Sequence, residues 1–164
     1  MYQKILVPLD GSQLAEMVLP HAIAVAKATR AEVTLVTVVT HTTGGPEKAY
    51  VETLPEVVAE RRAAATAEAV MYLERVQRGL KEQGVAAHCD SIEGDVADSI
   101  LGYAEHKGFD LIAMATHGRS GLDRFLMGSI AEKVVRGSLK PVLLIRVPPA
   151  APRPLDWPPE NPSP

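Results

Sequence analysis

Asp110-Leu111-Ile112-Ala113-Met114-Ala115-Thr116-His117-Gly118-Arg119-Ser120-Gly121-Leu122-Asp123-Arg124-Phe125-Leu126-Met127-Gly128-Ser129-Ile130-Ala131 reads as a strand, a glycine-rich loop and the start of a helix. Residues 111–114 are apolar without alternation, and a strand of that kind needs cover on both faces, as in a parallel sheet flanked by helices. Four further Val/Ile/Leu-rich runs, residues 4–9, 32–39, 85–92 and 141–147, complete a set of five predicted strands. Between them lie helical patterns. Residues 13–27 follow a Ser12 cap and carry Leu14, Val18 and Ala22 four apart, with Pro20 inside the pattern predicting a kink or a broken hydrogen bond. Residues 55–83 carry Ala59, Ala63, Ala67, Val70, Leu73, Val76 and Leu80 as one stripe expected to be buried. Asp95 caps a third helix with Val96, Ile100 and Ala104, and a fourth over 128–136 turns Ala131, Val134 and Val135 inward.

The order βαβαβαβαβ predicts an α/β fold, an open five-stranded parallel sheet with helices on both faces. In such sheets ligands bind beyond the carboxyl ends of the strands, where the strand order reverses. Function is therefore expected in the loops that follow strands. Residues 40–50, with His41, Gly44, Gly45 and Pro46, form the one long irregular connection, of the kind that serves as a lid or stays mobile.

Composition narrows the class of function. The chain has 164 residues, one cysteine and a formal charge of −3 from 17 Lys+Arg and 20 Asp+Glu. A single cysteine makes no internal disulfide and no cysteine-based zinc site, which points to the reducing cytoplasm. The opening residues carry no basic region or long apolar stretch, so no signal peptide is expected, and no run is long enough to cross a membrane. An acidic total argues against nucleic acid as a partner. Eight of the thirteen prolines fall within residues 147–164. Proline suits neither a helix nor a sheet interior, so the domain is expected to end at residue 146, before a disordered proline-rich tail. Leu155 and Trp157 make a docking arm the alternative reading of that tail.

The loop after the fourth strand carries the chemistry. Amide N–H groups at a helix start have no internal partner and bear partial positive charge, and glycines let a phosphate come close. From residue 116 to 140, five bases (Arg119, Arg124, Lys133, Arg136, Lys140) face two acids (Asp123, Glu132), a local +3 in a chain of −3. Ser129 can donate its hydroxyl to a phosphate oxygen or help hold a phosphate-bound cation. Read alone, three glycines equally serve a backbone that needs positive φ. No Gly-Lys-Ser/Thr triplet opens the helix, so this is not a Walker A loop, and a dinucleotide fingerprint would follow the first strand. His41, His88, Cys89 and His106 lack metal-ligand spacing.

Lys4-Ile5-Leu6-Val7-Pro8-Leu9-Asp10-Gly11-Ser12, Gly94 with the Asp95 helix, and residues 110–145 together resemble the universal stress protein family. Its ATP-binding branch has the pattern GxxG, nine residues, then Gly-Ser/Thr; Gly118, nine residues, Gly128 and Ser129 fit, while the first glycine falls on Ala115. The resemblance implies a Rossmann-like fold of the adenine nucleotide alpha-hydrolase-like type. It implies contacts to adenine and ribose from Pro8, Asp10 and Val38. Ala115, Thr116, His117, Gly118, Arg119, Ser120 and Gly121 match the loop around ribose and phosphates, and Gly128, Ser129, Ile130 and Ala131 the helix start that holds the phosphates. ATP, or AMP or ADP, with Mg is the implied cofactor. A homodimer through the last strand, residues 141–147 from Pro141 to Val147, and a regulatory protein partner of unknown identity are the implied assembly. Asp10 and Gly118 can share one ligand only if strands one and four are neighbours, which predicts strand order 3-2-1-4-5.

Other readings stand beside these. Asp10 can instead hold its own turn. His117 has no carboxylate or serine placed to use it in catalysis, and Arg119 and Arg124 can be solvated surface charges. The implied function is a non-enzymatic nucleotide sensor in the stress response; the alternatives are a weak ATP hydrolase or nucleotidyl transferase, and a dimeric interaction module without nucleotide, for which Ala115 is the support.

Overall fold

A computed structural model describes residues 1–40, 55–116 and 127–146. The expectations for the 40–50 connection beyond Thr40, for His117 to Gly121, and for the proline-rich tail lie outside these residues. The elements are β1 (Lys4–Pro8), α1 (Gln13–Glu16), α2 (Leu19–Thr29), β2 (Glu32–Val39), α3 (Pro55–Glu82), β3 (Ala87–Glu93), α4 (Val96–His106), β4 (Leu111–Ala115), α5 (Ser129–Gly137) and β5 (Val142–Ile145). Every strand pair is parallel, and the order is β3-β2-β1-β4-β5, as the shared-ligand argument requires.

Alternate residues of the strands feed two apolar layers. Ile5, Val7, Val33, Leu35, Leu111 and Ala113 pack under α1, α2 and α3 on one face. Leu6, Val36, Ile112 and Met114 pack under α4 and α5 on the other. β4 throughout and β1 after Lys4 are thus apolar at every position because both faces are covered. Among the described residues no helix is long and apolar enough to cross a membrane.

Three sequence expectations need correction. The helix expected over 13–27 is two, α1 and α2, because Pro20 has no N–H to give to the Glu16 carbonyl; it falls instead in the first turn of α2, where donors lack partners anyway. The stripe along α3 is buried only in its second half: Leu73, Val76 and Leu80 are fully buried, whereas Ala59, Ala63 and Ala67 are exposed. A helix of 28 residues runs about 42 Å, while the seven-residue β3 beneath it spans about 23 Å, so α3 overshoots the sheet. Val135, expected inward on α5, is 39% exposed. Smaller shifts have local causes. Val85 donates its N–H to the Leu80 carbonyl at 3.0 Å, which ends α3 rather than beginning β3.

The amino ends of the strands are fastened by Asp110, whose Oδ2 accepts the N–H groups of Gln3 (2.8 Å) and Lys4 (2.9 Å). Those two backbone donors hold its carboxyl below the usual carboxylate range. The folded pKa is depressed, so the stabilisation is present in full above the unfolded value near 4 and is lost as the pH falls through the folded one. Asp110→Asn is expected to melt below the parent at neutral pH, with the gap closing in acid. Melting curves taken across that range check it; a gap that stays constant with pH would exclude the linkage.

Candidate functional site

β1 and β4 are neighbours, with Ile5 opposite Leu111 and Leu6 opposite Ile112. The chain leaves β1 towards β2 on one side and leaves β4 towards β5 on the other, so the strand order reverses between them. At the carboxyl ends of these strands lies a cavity of about 270 Å³. Pro8 and Asp10 reach it from the end of β1, Val38 from β2, Ala115 and Thr116 from the end of β4, and Gly128, Ser129, Ile130 and Ala131 from the start of α5. All the sequence-derived site residues that are described therefore meet at one cavity. Ala15, Val36, Val96, Ile100 and Met114 also line it, although sequence reasoning gave them no ligand role. Their apolar character marked them as core, and only the distance between elements makes them a wall.

The cavity has an apolar body and a polar rim. Gly128 caps α5 with no side-chain hydrogen bond, and its N–H donates to the Thr116 carbonyl at 2.9 Å. The first helical bond runs from the Glu132 N–H to the Gly128 carbonyl. The amides of Ser129, Ile130 and Ala131 hence have no acceptor within the helix, and the helix dipole adds partial positive charge at the same spot. The Thr116 N–H in turn donates to the Ile145 carbonyl at 2.9 Å, so the departure point of the glycine loop is fixed to β5 and its return point to β4.

Asp10 holds its own turn, as the plainer reading had it. Its Oδ1 accepts from the Ser12 N–H at 2.9 Å and from the Ser12 hydroxyl at 2.6 Å, while Gly11 takes φ 81° between them. Ser12 Oγ accepts from the Ala15 N–H at 3.1 Å and so caps α1. The turn and the place at the cavity are compatible: the same bonds aim the carboxylate. Asp95 is a helix cap, accepting from the Asp98 N–H at 3.3 Å.

Ala115 ends β4 in regular strand register opposite Ile145. The backbone there makes no demand for glycine, since Arg30 is the one non-glycine residue with positive φ among those described. Alanine in the first motif position therefore changes the wall of the cavity by one methyl group and nothing else.

The local +3 does not reach the cavity through its described part. Lys133, Arg136 and Lys140 are absent from the lining, and Arg136 Nε lies 2.9 Å from Glu132 Oε1 on the outer surface of α5. Counting charges along a segment ignores which face of a helix each occupies. The described anion-binding capacity comes from the α5 amides instead.

Comparison with known proteins agrees with the fold. The model of the universal stress protein family matches residues 1–146. Universal stress protein MJ0531 of Methanocaldococcus jannaschii is 37% identical over 150 residues, which cover 90% of this chain and 84% of that protein. The solved structure of MJ0577, a universal stress protein of the same organism, superposes with a TM-score of 0.77 at 33% identity, covering 90% of this chain and 97% of the other. A universal stress protein of Archaeoglobus fulgidus, solved in complex with dAMP, shares the fold at a TM-score of 0.55 and 22% identity, covering 88% of this chain and 98% of the other.

Proposed function

Because the chain belongs to the universal stress protein family, we propose that it binds an adenine nucleotide, ATP foremost and AMP or ADP as smaller forms, and works as a non-enzymatic sensor in the stress response. The observation that carries this reading is the meeting of Pro8, Asp10 and Val38 with the uncapped start of α5 around one cavity. About 270 Å³ is near the small end of the roughly 300–1,000 Å³ typical of ligand sites, which suits a base and a sugar with phosphates leading out to α5. The flat apolar base lies against Val36, Val38 and Ile100; Asp10 accepts hydrogen bonds from ribose hydroxyls; the α5 amides and the Ser129 hydroxyl donate to the phosphates, beside whose Mg the Ser129 oxygen would lie. The dAMP complex of the Archaeoglobus fulgidus protein supports an adenine nucleotide as the ligand class on this fold. His117, Gly118, Arg119, Ser120 and Gly121 remain assigned to ribose and phosphates by their match to the family motif.

The test is mass spectrometry of whatever is released from protein purified without added nucleotide, followed by calorimetric titration with ATP and Mg. An adenine nucleotide in the extract, or saturable binding at millimolar ATP, is the expected result. The absence of both signals would overturn the reading and leave a dimeric interaction module. Turnover abolished by Asp10→Ala or His117→Ala would favour a hydrolase.

We further place the domain boundary at residue 146 and a homodimer contact at β5. β5 pairs with β4 on one side and lies at the end of the sheet order, and its four apolar residues are only half-buried. An apolar edge strand left in water invites pairing, and a second copy satisfies it symmetrically. Leu144→Arg is expected to convert the dimer to monomer in light scattering, whereas a mass unchanged from the parent dimer would move the interface elsewhere.

A further inference from the structure

We propose that Glu16 and Arg75 form a positioning strut that holds the β1–α1 turn, and with it Asp10, against the ribose; this rests on the cavity being an adenine-nucleotide site. α1 is four residues long, too short to hold its own shape, since helix nucleation is unfavourable and short helices depend on tertiary contacts. On one side it carries the Asp10–Ser12–Ala15 chain of hydrogen bonds to the cavity. The next residue, Glu16, is 6% exposed, one of two buried polar or charged residues among those described. Its Oε1 meets Arg75 Nη2 at 3.3 Å, and Arg75 projects from the half of α3 that Leu73 and Val76 anchor in the core.

A buried carboxylate at this point is not what stability calls for. Removing a charge from water costs more than one partner usually returns, and an apolar side chain of similar size would fill the space as well. The remaining use is geometric, because an ion pair fixes a direction and an apolar contact does not. Arg75 is itself held, its guanidinium 5.3 Å from the centre of the Tyr72 ring. The Tyr72 hydroxyl is buried, and burial together with the neighbouring Glu16 carboxylate pushes its phenol up, so it stays protonated across the working range. The strut thus runs from the rigid half of α3 through Arg75 and Glu16 to the turn that aims Asp10.

A ribose-directed effect separates positioning from mere support. The experiment titrates ATP and 2′,3′-dideoxy-ATP, each with Mg, into the full chain, Glu16→Gln, Arg75→Met and Arg75→Lys, with a melting curve for each. The parent is expected to prefer ATP over the dideoxy analogue by about tenfold or more, the worth of a charge-assisted hydrogen bond. Glu16→Gln and Arg75→Met are expected to bring that ratio to within about twofold by weakening ATP alone, and Arg75→Lys to restore most of it. Equal weakening of both nucleotides, or a ratio that stays at the parent value, would overturn the strut. A parent that binds neither nucleotide would instead overturn the reading of the cavity, and the strut with it.

Discussion

Ala115→Leu lowers adenine-nucleotide affinity by an expected 100-fold or more while the protein still folds. Ala115 is 7% exposed and forms part of the cavity wall at the end of β4. Three added carbons occupy the space that the ligand needs, and displacing a packed group costs about 1–3 kcal/mol in strain, to which the lost contacts add, so about 2.7 kcal/mol or 100-fold is a modest expectation. Without ligand the same carbons fill empty apolar space, worth up to about 0.8 kcal/mol per buried methylene, so the melting point holds or rises. Ala115→Gly runs the other way: the cavity widens by one methyl group, while the strand loses about 0.5–1 kcal/mol to backbone entropy. Calorimetric titration with ATP and a melting curve on each variant separate the two effects. Parent-like affinity in a folded Ala115→Leu protein would mean that the ligand lies elsewhere.

The largest loss of stability is expected from Leu73→Ala. Leu73 is fully buried and belongs to the apolar layer under α1, α2 and α3. Leucine-to-alanine changes at such sites cost about 2–5 kcal/mol, from lost transfer energy and from the cavity left behind. About two and three turns earlier along the same stripe, Ala67 and Ala63 are exposed. Ala67→Ser, on that overshooting half, is expected to stay within about 0.5 kcal/mol, as surface substitutions do. Urea unfolding of both variants decides whether α3 is anchored only through its second half, and amide exchange should show its first half opening well below the global free energy. Equal effects from Leu73→Ala and Ala67→Ser would contradict that division.

The stripe on α3 also shows where sequence reasoning stops. Period 3.6 identifies one apolar side of a helix, and on α3 it did so correctly at Leu73, Val76 and Leu80. It does not say how far the neighbouring sheet extends, and alanine, with little surface to bury, fits an exposed face as readily as a covered one. Pro20 gave the opposite case. The proline predicted a disturbed helix, and its missing N–H produced a clean break that leaves α1 a single short helix. That break is what makes Glu16 a residue of consequence, and no pattern in the chain singles it out.

Read as a chain, the protein declares its strand and helix order, its parallel sheet, the reversal between β1 and β4, and the residues from Pro8 to Ala131 that gather at the reversal. The element order and the parallel sheet follow from local properties: which faces are apolar, where N–H groups lack partners, where glycine and proline permit or forbid a conformation; the site residues, and with them the reversal, came from the resemblance to a known family. The resemblance of residues 110–145 to a known family added the ligand class. Folding in three dimensions alone brought Val36, Val96 and Ile100 beside that cavity, turned Lys133, Arg136 and Lys140 away from it, left half of α3 uncovered, and joined Glu16 to Arg75 across 59 positions of sequence. Those outcomes depend on where elements end and which neighbours they meet, and such distances are set by packing between distant parts of the chain, not by any periodicity within one part.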